Sequence, residues 1–280
     1  MLSYLHSFHA GNFADVHKHA VLSTLLQVAT QKDSAFAYFD THAGRGHYAL
    51  DSAAAQKTHE YKQGIAKLWA LQGEWPKTLR PYQELLNKTG ANPRYYPGSP
   101  LFAAQALRAE DHMILFEQHP REYPELSELL KRDKRAHVHN RDGYEGLLAL
   151  LPPKQAKRGL VLIDPSYEVK KEYQQIVRLL LAAQQCWAGG TYAIWYPLLP
   201  DEQHLRLKMK LKASGLRNIY CHELRDINTE KARSMQGSGM LIINPPWSVH
   251  GAWYPLAQCL VEILRQNDQA TAHSEWLVPE

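Results

Sequence analysis

Two short stretches of this chain carry related chemical logic. Asp164-Pro165-Ser166-Tyr167 closes the apolar run LVLIDPSYE at 160–168, and Asn244-Pro245-Pro246-Trp247 closes LIINPPW at 241–247. A planar exocyclic amine such as adenine N6 is a poor nucleophile, because its lone pair is conjugated into the ring. Acceptors aimed at its two N–H bonds localise that lone pair and orient it. The Asp164 carboxylate and the Pro165 carbonyl oxygen are such acceptors, and the Tyr167 ring can stack on an extruded base. Asn244 and Trp247 offer a similar set. An electrophilic carbon held about 3 to 3.5 Å from the amine would gain much of its rate from position alone. Which stretch does this depends on where the fold puts it.

Strand signals recur at AFAYFD (35–40), MILFEQ in the 112–118 region, AHVHN (136–140), LVLIDP (160–165), TYAIWYP (191–197), NIYCHEL (218–224) and LIINPP (241–246). Apolar spacing predicts helices over 15–30, 100–108, 123–131, 142–151, 173–187 and 201–214. This alternation predicts an α/β fold with a doubly wound, mostly parallel, seven-stranded Rossmann-like sheet. Residues 1–280 then form a single domain, with a small helical insertion at about 50–95, too long for a simple strand-to-helix loop. Asp164 ends a fully apolar, central strand beside the first one, at the switch point where open α/β sheets bind ligands. LIINPP follows NIYCHEL after only a loop, which predicts an antiparallel hairpin at the sheet edge. The carboxyl end of its second strand then faces away from the ligand crevice, leaving Asn244 a strand terminator packed by Trp247.

The first strand ends in DTHAGRGHY (40–48), where Gly44 and Gly46 let backbone approach a ligand closely; a plain tight turn explains them equally. Glu117 ends the second strand, where nucleotide-type cofactors place a carboxylate on ribose hydroxyls. Asp142 and Gly143 follow the third strand, placed either to meet an adenine edge or to start a helix. The full dinucleotide glycine pattern and the P-loop pattern are both absent, and S-adenosyl-L-methionine is the cofactor that best suits three such strand ends.

The opening segment is rich in histidine (His6, His9, His17, His19), with His42 and His47 further on. His17 and His19 stand two apart on a helix and point different ways, and no carboxylate or cysteine completes a metal spacing, so no metal is expected. The three cysteines are scattered, as in a reducing compartment. A formal charge of +4 and a pI near 8.8 permit an anionic partner without requiring one. The insertion carries a modest excess of lysine and arginine, suited to phosphate contacts or simply to solvent. No stretch has the apolar length of a signal peptide or membrane span, so a cytoplasmic protein with no membrane contact is expected, and no obligate protein partner is inferred.

The order of DTHAGRG, FEQHP, RDGY and DPSYE resembles the class I adenine-N6 methyltransferases. With HSFHAGNFADVHKH, YYPGSP and the terminal NPPW, the whole chain is similar to the bacterial 23S ribosomal RNA large-subunit methyltransferase J family. The resemblance implies S-adenosyl-L-methionine contacts at His19, His42, Ser99, Glu117, Asp142, Gly143 and Asp164, with Lys18 and Gly44 beside them. It implies Asp164 as catalytic residue, with Pro165 and Tyr167, and Tyr4 and His6 on the RNA. It further implies one adenine of 23S ribosomal RNA as substrate. The family usually has a second proline where Ser166 stands, which costs the loop one fixed φ angle. The same acceptor logic also serves a DNA adenine or a protein glutamine, and an inactive RNA-binding relative is a third reading.

Overall fold

The computed structural model describes residues 4–228 and 235–280. The strands are β1 (Phe36–Asp40), β2 (His47–Ala49), β3 (Tyr95–Pro97), β4 (His112–Phe116), β5 (Ala136–His139), β6 (Arg158–Ile163), β7 (Thr191–Leu198), β8 (Ile219–Arg225), β9 (Gly237–Ile243) and β10 (Thr271–Val278). Eight of them form one sheet in the order β10-β8-β9-β7-β6-β1-β4-β5, and β2 pairs with β3 in a separate ribbon. The five strands from β7 to β5 are mutually parallel. All seven expected strands are present, and β10 adds an eighth, antiparallel to β8. The hairpin of β8 and β9 therefore does not lie at the edge: β9 sits between β7 and β8, antiparallel to both.

Strand residues alternate between two apolar clusters, as a sheet covered on both faces requires. Phe36, Tyr38, Leu160 and Leu162 face one cluster, while Ala37, Phe39, Val161 and Ile163 face the other. The first cluster is shared with α1 (Phe13–Ala29), α4 (Arg80–Lys88), α5 (Ser99–Ala106), α6 (Glu122–Leu130) and α10 (Trp253–Leu264). The second is shared with α7 (Gly143–Leu150), α8 (Glu172–Cys186) and α9 (Gln203–Ala213). Between β2 and β3 come α2 (Ala53–Thr58), α3 (Ile65–Trp69) and α4. Their residues Leu68, Tyr82 and Leu86 join the first cluster, so the insertion packs against α1. Among the described residues, no helix is long and apolar enough to cross a membrane.

The α1 helix starts at Asn12, whose side chain accepts from Asp15 N–H (2.9 Å), while Asp15 accepts from Gly11 N–H (2.9 Å). These contacts cap the free N–H groups of the first turn and set the helix rotation. That rotation sends His17 toward β8 and β9 and His19 toward Tyr96, in keeping with residues two apart.

Candidate functional site

The carboxyl ends of β1 and β6 are neighbours: Asp40 lies opposite Leu162, and Thr41 N–H donates to the Leu162 carbonyl (3.1 Å). Over this switch point opens a cleft of about 960 Å³. Of the residues named from the sequence for cofactor, catalysis or RNA, all except Gly46, Asp142 and Gly143 line it.

At its centre Lys18 Nζ lies 2.6 Å from Asp164 Oδ2 and 2.9 Å from Asp15 Oδ1. Burial alone would lower the lysine pKa, but the two carboxylates overcome it and hold the ammonium charged. Burial would likewise raise Asp15, but its contacts with His6 and Lys18 hold it well below the usual carboxylate range. His6 Nε2 donates to Asp15 Oδ2 (2.8 Å), and the Tyr4 hydroxyl pairs with His6 Nδ1 (2.9 Å). Tyr4, His6, Asp15, Lys18 and Asp164 thus form one continuous polar chain from the start of the protein to the end of β6.

The other wall suits a nucleoside. Glu117, after β4, accepts from Gly44 N–H (2.8 Å) through one carboxylate oxygen and from His119 N–H (2.7 Å) through the other. Each oxygen keeps a lone pair for a further donor such as a ribose hydroxyl. Burial raises its pKa despite those two bonds. Gly44 takes the left-handed backbone (φ +61°), and a Cβ there would meet the Tyr48 hydroxyl at 2.2 Å. His19 donates or accepts at Nδ1 with the Tyr96 hydroxyl (2.8 Å), while its Nε2 is buried with no partner among the described residues. A buried unpaired ring nitrogen at a cleft wall is costly unless a ligand completes it. His42 pairs with Thr41 Oγ1 (2.8 Å), and burial holds its pKa down to about 4.

Asp142 and Gly143 open α7, against the Thr41 end of β1. Asp142 caps α7, accepting from Tyr144 and Glu145 N–H (2.9 and 3.0 Å). A Cβ at Gly143 would lie 1.9 Å from the Thr41 carbonyl oxygen, so only glycine lets α7 seat against the end of β1. The pair thus starts a helix, one of the two roles the sequence offers it.

Sequence reasoning passed over Asp40. Its buried carboxylate accepts from Tyr38 Oη (2.8 Å), Ser99 Oγ (2.6 Å) and His42 N–H (3.2 Å). Burial outweighs those bonds and pushes its pKa up to about 6. The signal available was a strand-ending acid in DTHAGRG, but its tie to Ser99, fifty-nine positions on, is tertiary.

On the acceptor side, Tyr167 takes the left-handed backbone (φ +55°), unusual for an aromatic residue. Its hydroxyl donates to the Trp195 carbonyl (2.6 Å), and its ring packs against Tyr173 (4.5 Å between centroids) and the edge of Trp195 (5.8 Å). Only 7% of the residue is exposed, toward the cleft. Ser166 Oγ makes one long contact, with Glu168 N–H at 3.5 Å.

Asn244 lies beside the beginning of β7, not its carboxyl end. It donates to the Ala188 and Gly190 carbonyls (2.9 Å each) and its own carbonyl accepts from Thr191 Oγ1 (2.9 Å). As the antiparallel pairing required, it ends β9 at the opposite side of the sheet from Asp164. Trp247 corrects the expectation of packing: it is 83% exposed, touching the edge of His250 (4.8 Å). Trp247 opens a short 3₁₀ helix directly after the two prolines, and Trp253, just past that helix, is fully buried instead.

A doubly wound sheet with a nucleoside-suited cleft and an acid at the central strand end defines an α/β enzyme of the Rossmann-like methyltransferase class. Residues 33–278 match the family model described as ribosomal RNA large subunit methyltransferase D, RlmJ, and the chain belongs to this family. It is 43% identical to the ribosomal RNA large subunit methyltransferase J of Escherichia coli and 42% identical to that of Haemophilus influenzae, over all of each chain. A crystal structure of a Legionella pneumophila protein, 36% identical, superposes with a TM-score of 0.88 over 96% of this chain and 98% of that one.

Proposed function

We propose that this protein transfers a methyl group from S-adenosyl-L-methionine to N6 of one adenine in 23S ribosomal RNA. The observation that carries the reading is Asp164, paired with Lys18 at the switch point, in one cleft with the Glu117 and His19 wall. The names of the two full-length relatives support ribosomal RNA as the substrate. S-adenosyl-L-methionine supplies a methyl carbon activated on a sulfonium.

The protein's own part is holding and shielding. Glu117 accepts ribose hydroxyls, and His19 Nε2 meets the polar end of the cofactor. Lys18 donates to one Asp164 oxygen (2.6 Å) and leaves the other free to accept from the amine. Asp164 accepts one N–H of N6 and the Pro165 carbonyl the other, turning the nitrogen lone pair out of conjugation. The exposed part of Tyr167 supports the base. As the nitrogen gains its methyl group, the proton it loses passes to Asp164 and on to water. Burial of the site strengthens each of these contacts.

The test uses ribosomal RNA from cells with and without the gene, mapped by mass for methylated adenine, with purified enzyme restoring the missing modification. Asp164→Ala that remains folded is expected to lose roughly 10²–10³-fold or more in kcat. Unimpaired transfer by that variant overturns the catalytic assignment. Methylation of duplex DNA or a protein glutamine, with none of RNA, overturns the substrate.

A further inference from the structure

Behind the acceptor side runs a second buried polar chain, which the reaction as described does not use. The Trp195 indole N–H donates to Ser238 Oγ (2.9 Å). Ser238 Oγ is 2.8 Å from His17 Nδ1, His17 Nε2 is 2.8 Å from His222 Nδ1, and His222 Nε2 is 2.9 Å from the Trp253 carbonyl. His17, Ser238 and His222 are fully buried, and the two imidazoles stack at 4.9 Å.

With both rings neutral, donor and acceptor capacity fixes the protons in this chain. A carbonyl only accepts, so His222 Nε2 carries a hydrogen. A neutral ring then has a bare Nδ1, which must accept from His17 Nε2–H. His17 Nδ1 is in turn bare and takes the Ser238 hydroxyl proton, leaving that oxygen to accept from the indole. Each bond runs one way, from Trp195 and Ser238 at one end and toward Trp253 at the other. Burial pushes both histidines below their ordinary pKa, in keeping with neutral rings.

The chain joins five elements, α1, β7, β8, β9 and α10, and ends on a residue that lines the cleft. From Trp195 the connection continues, because its carbonyl accepts the Tyr167 hydroxyl. Tyr167 sits in a backbone conformation that surrounding structure must hold in place. At the other side His17 precedes Lys18, whose ammonium grips Asp164.

We infer that His17 and His222 are positioning residues for the acceptor side of the site, fixing Trp195 through Ser238 and thereby seating Tyr167 and the loop that carries Asp164. This rests on the role given to Tyr167 above. The rings touch no substrate; they set where the residues that do can stand.

The full-length enzyme labelled with ¹⁵N-histidine, observed by NMR at pH 7, is expected to show His17 and His222 as neutral Nε2–H tautomers. An Nδ1–H form or an imidazolium at either overturns the inference. In kinetics, Ser238→Ala and Trp195→Phe are each expected to lower kcat for RNA methylation about tenfold to a hundredfold, as small misplacements at a reacting centre do. Calorimetric affinity for S-adenosyl-L-methionine should change less than about threefold, and the double variant should lose no more than the worse single one. Unchanged kcat in either folded variant, additive losses, or a parallel fall in cofactor affinity overturns it; if Ser238→Ala does not fold, Trp195→Phe alone decides. Wild-type enzyme that methylates no RNA would refute the reaction reading instead, and leave the tautomer result standing as a separate test.

Discussion

Lys18 is one buried cation between two carboxylates, with 6% of its side chain exposed against 2% for Asp15 and 14% for Asp164. Removing the cation leaves two negative groups facing each other in a low-dielectric site, which is worse than never having buried any of the three. Lys18→Met is therefore expected to destabilise the protein by about 3–5 kcal/mol, read as a lower urea midpoint with an unchanged slope. A loss under about 1 kcal/mol would mean that water already screens the triad. Residue chemistry of this kind was partly legible beforehand. Asp164 and Glu117 were named from their positions at strand ends, Lys18 and His19 from the resemblance of the opening motif to a known family, and the cleft brings them together. Asp15 and Asp40 were not, because a carboxylate shows in the sequence as a charge, while its partner is set by the packing of distant segments.

At the scale of elements, the close seat of α7 on β1 depends on a missing Cβ. Gly143→Ala places a methyl group 1.9 Å from the Thr41 carbonyl, so α7 must move and the turn holding His42 moves with it. Overpacking of this sort costs about 1–3 kcal/mol. The expected result is a modest loss of thermal stability with at least a tenfold loss of S-adenosyl-L-methionine affinity by calorimetry. Full affinity would separate α7 from the cofactor wall. The outer strand makes a different prediction. β10 pairs along the whole of β8 and buries Leu277 and Val278, while the Trp276 ring stands edge-on to Tyr220 (5.1 Å). Deleting residues 271–280 bares the β8 edge, a template for intermolecular pairing. Light scattering on such a truncation should rise on mild warming, where the full chain stays clear.

For the molecule as a whole, buried histidines dictate the acid limb of stability. His42 and His222 are held down to about 4 from an ordinary 6.5. Between those values the unfolded chain binds protons that the folded one refuses. Stability from each is therefore complete above about pH 6.5 and is lost as pH falls toward 4, by roughly 3 kcal/mol apiece. Asp40 works the other way: raised from 3.8 to about 6, it favours the folded state as pH falls through that value. One such carboxylate offsets only one of the two histidines, and His17, also lowered, adds to the loss. The urea midpoint should be distinctly lower at pH 5 than at pH 7.5; an equal or higher midpoint at pH 5 would contradict the neutral, buried state of these rings.

What could be read directly from the sequence were the strands, the alternation of strand and helix, and the acids at strand ends. These are local: period-2 apolar runs must be buried, and chain order places their carboxyl ends on one side. DPSYE outranked NPPW on that ground alone, since an antiparallel strand delivers its end to the wrong side. Tertiary structure decided the rest. It placed β9 inside the sheet and β10 at its edge, left Trp247 in solvent, turned the Asp142–Gly143 pair into a helix seat, and linked His17 to His222 across 205 positions. The physical reason is that an apolar period specifies which face is buried but not against what, and a hydrogen bond between distant residues leaves no mark on the order of either segment.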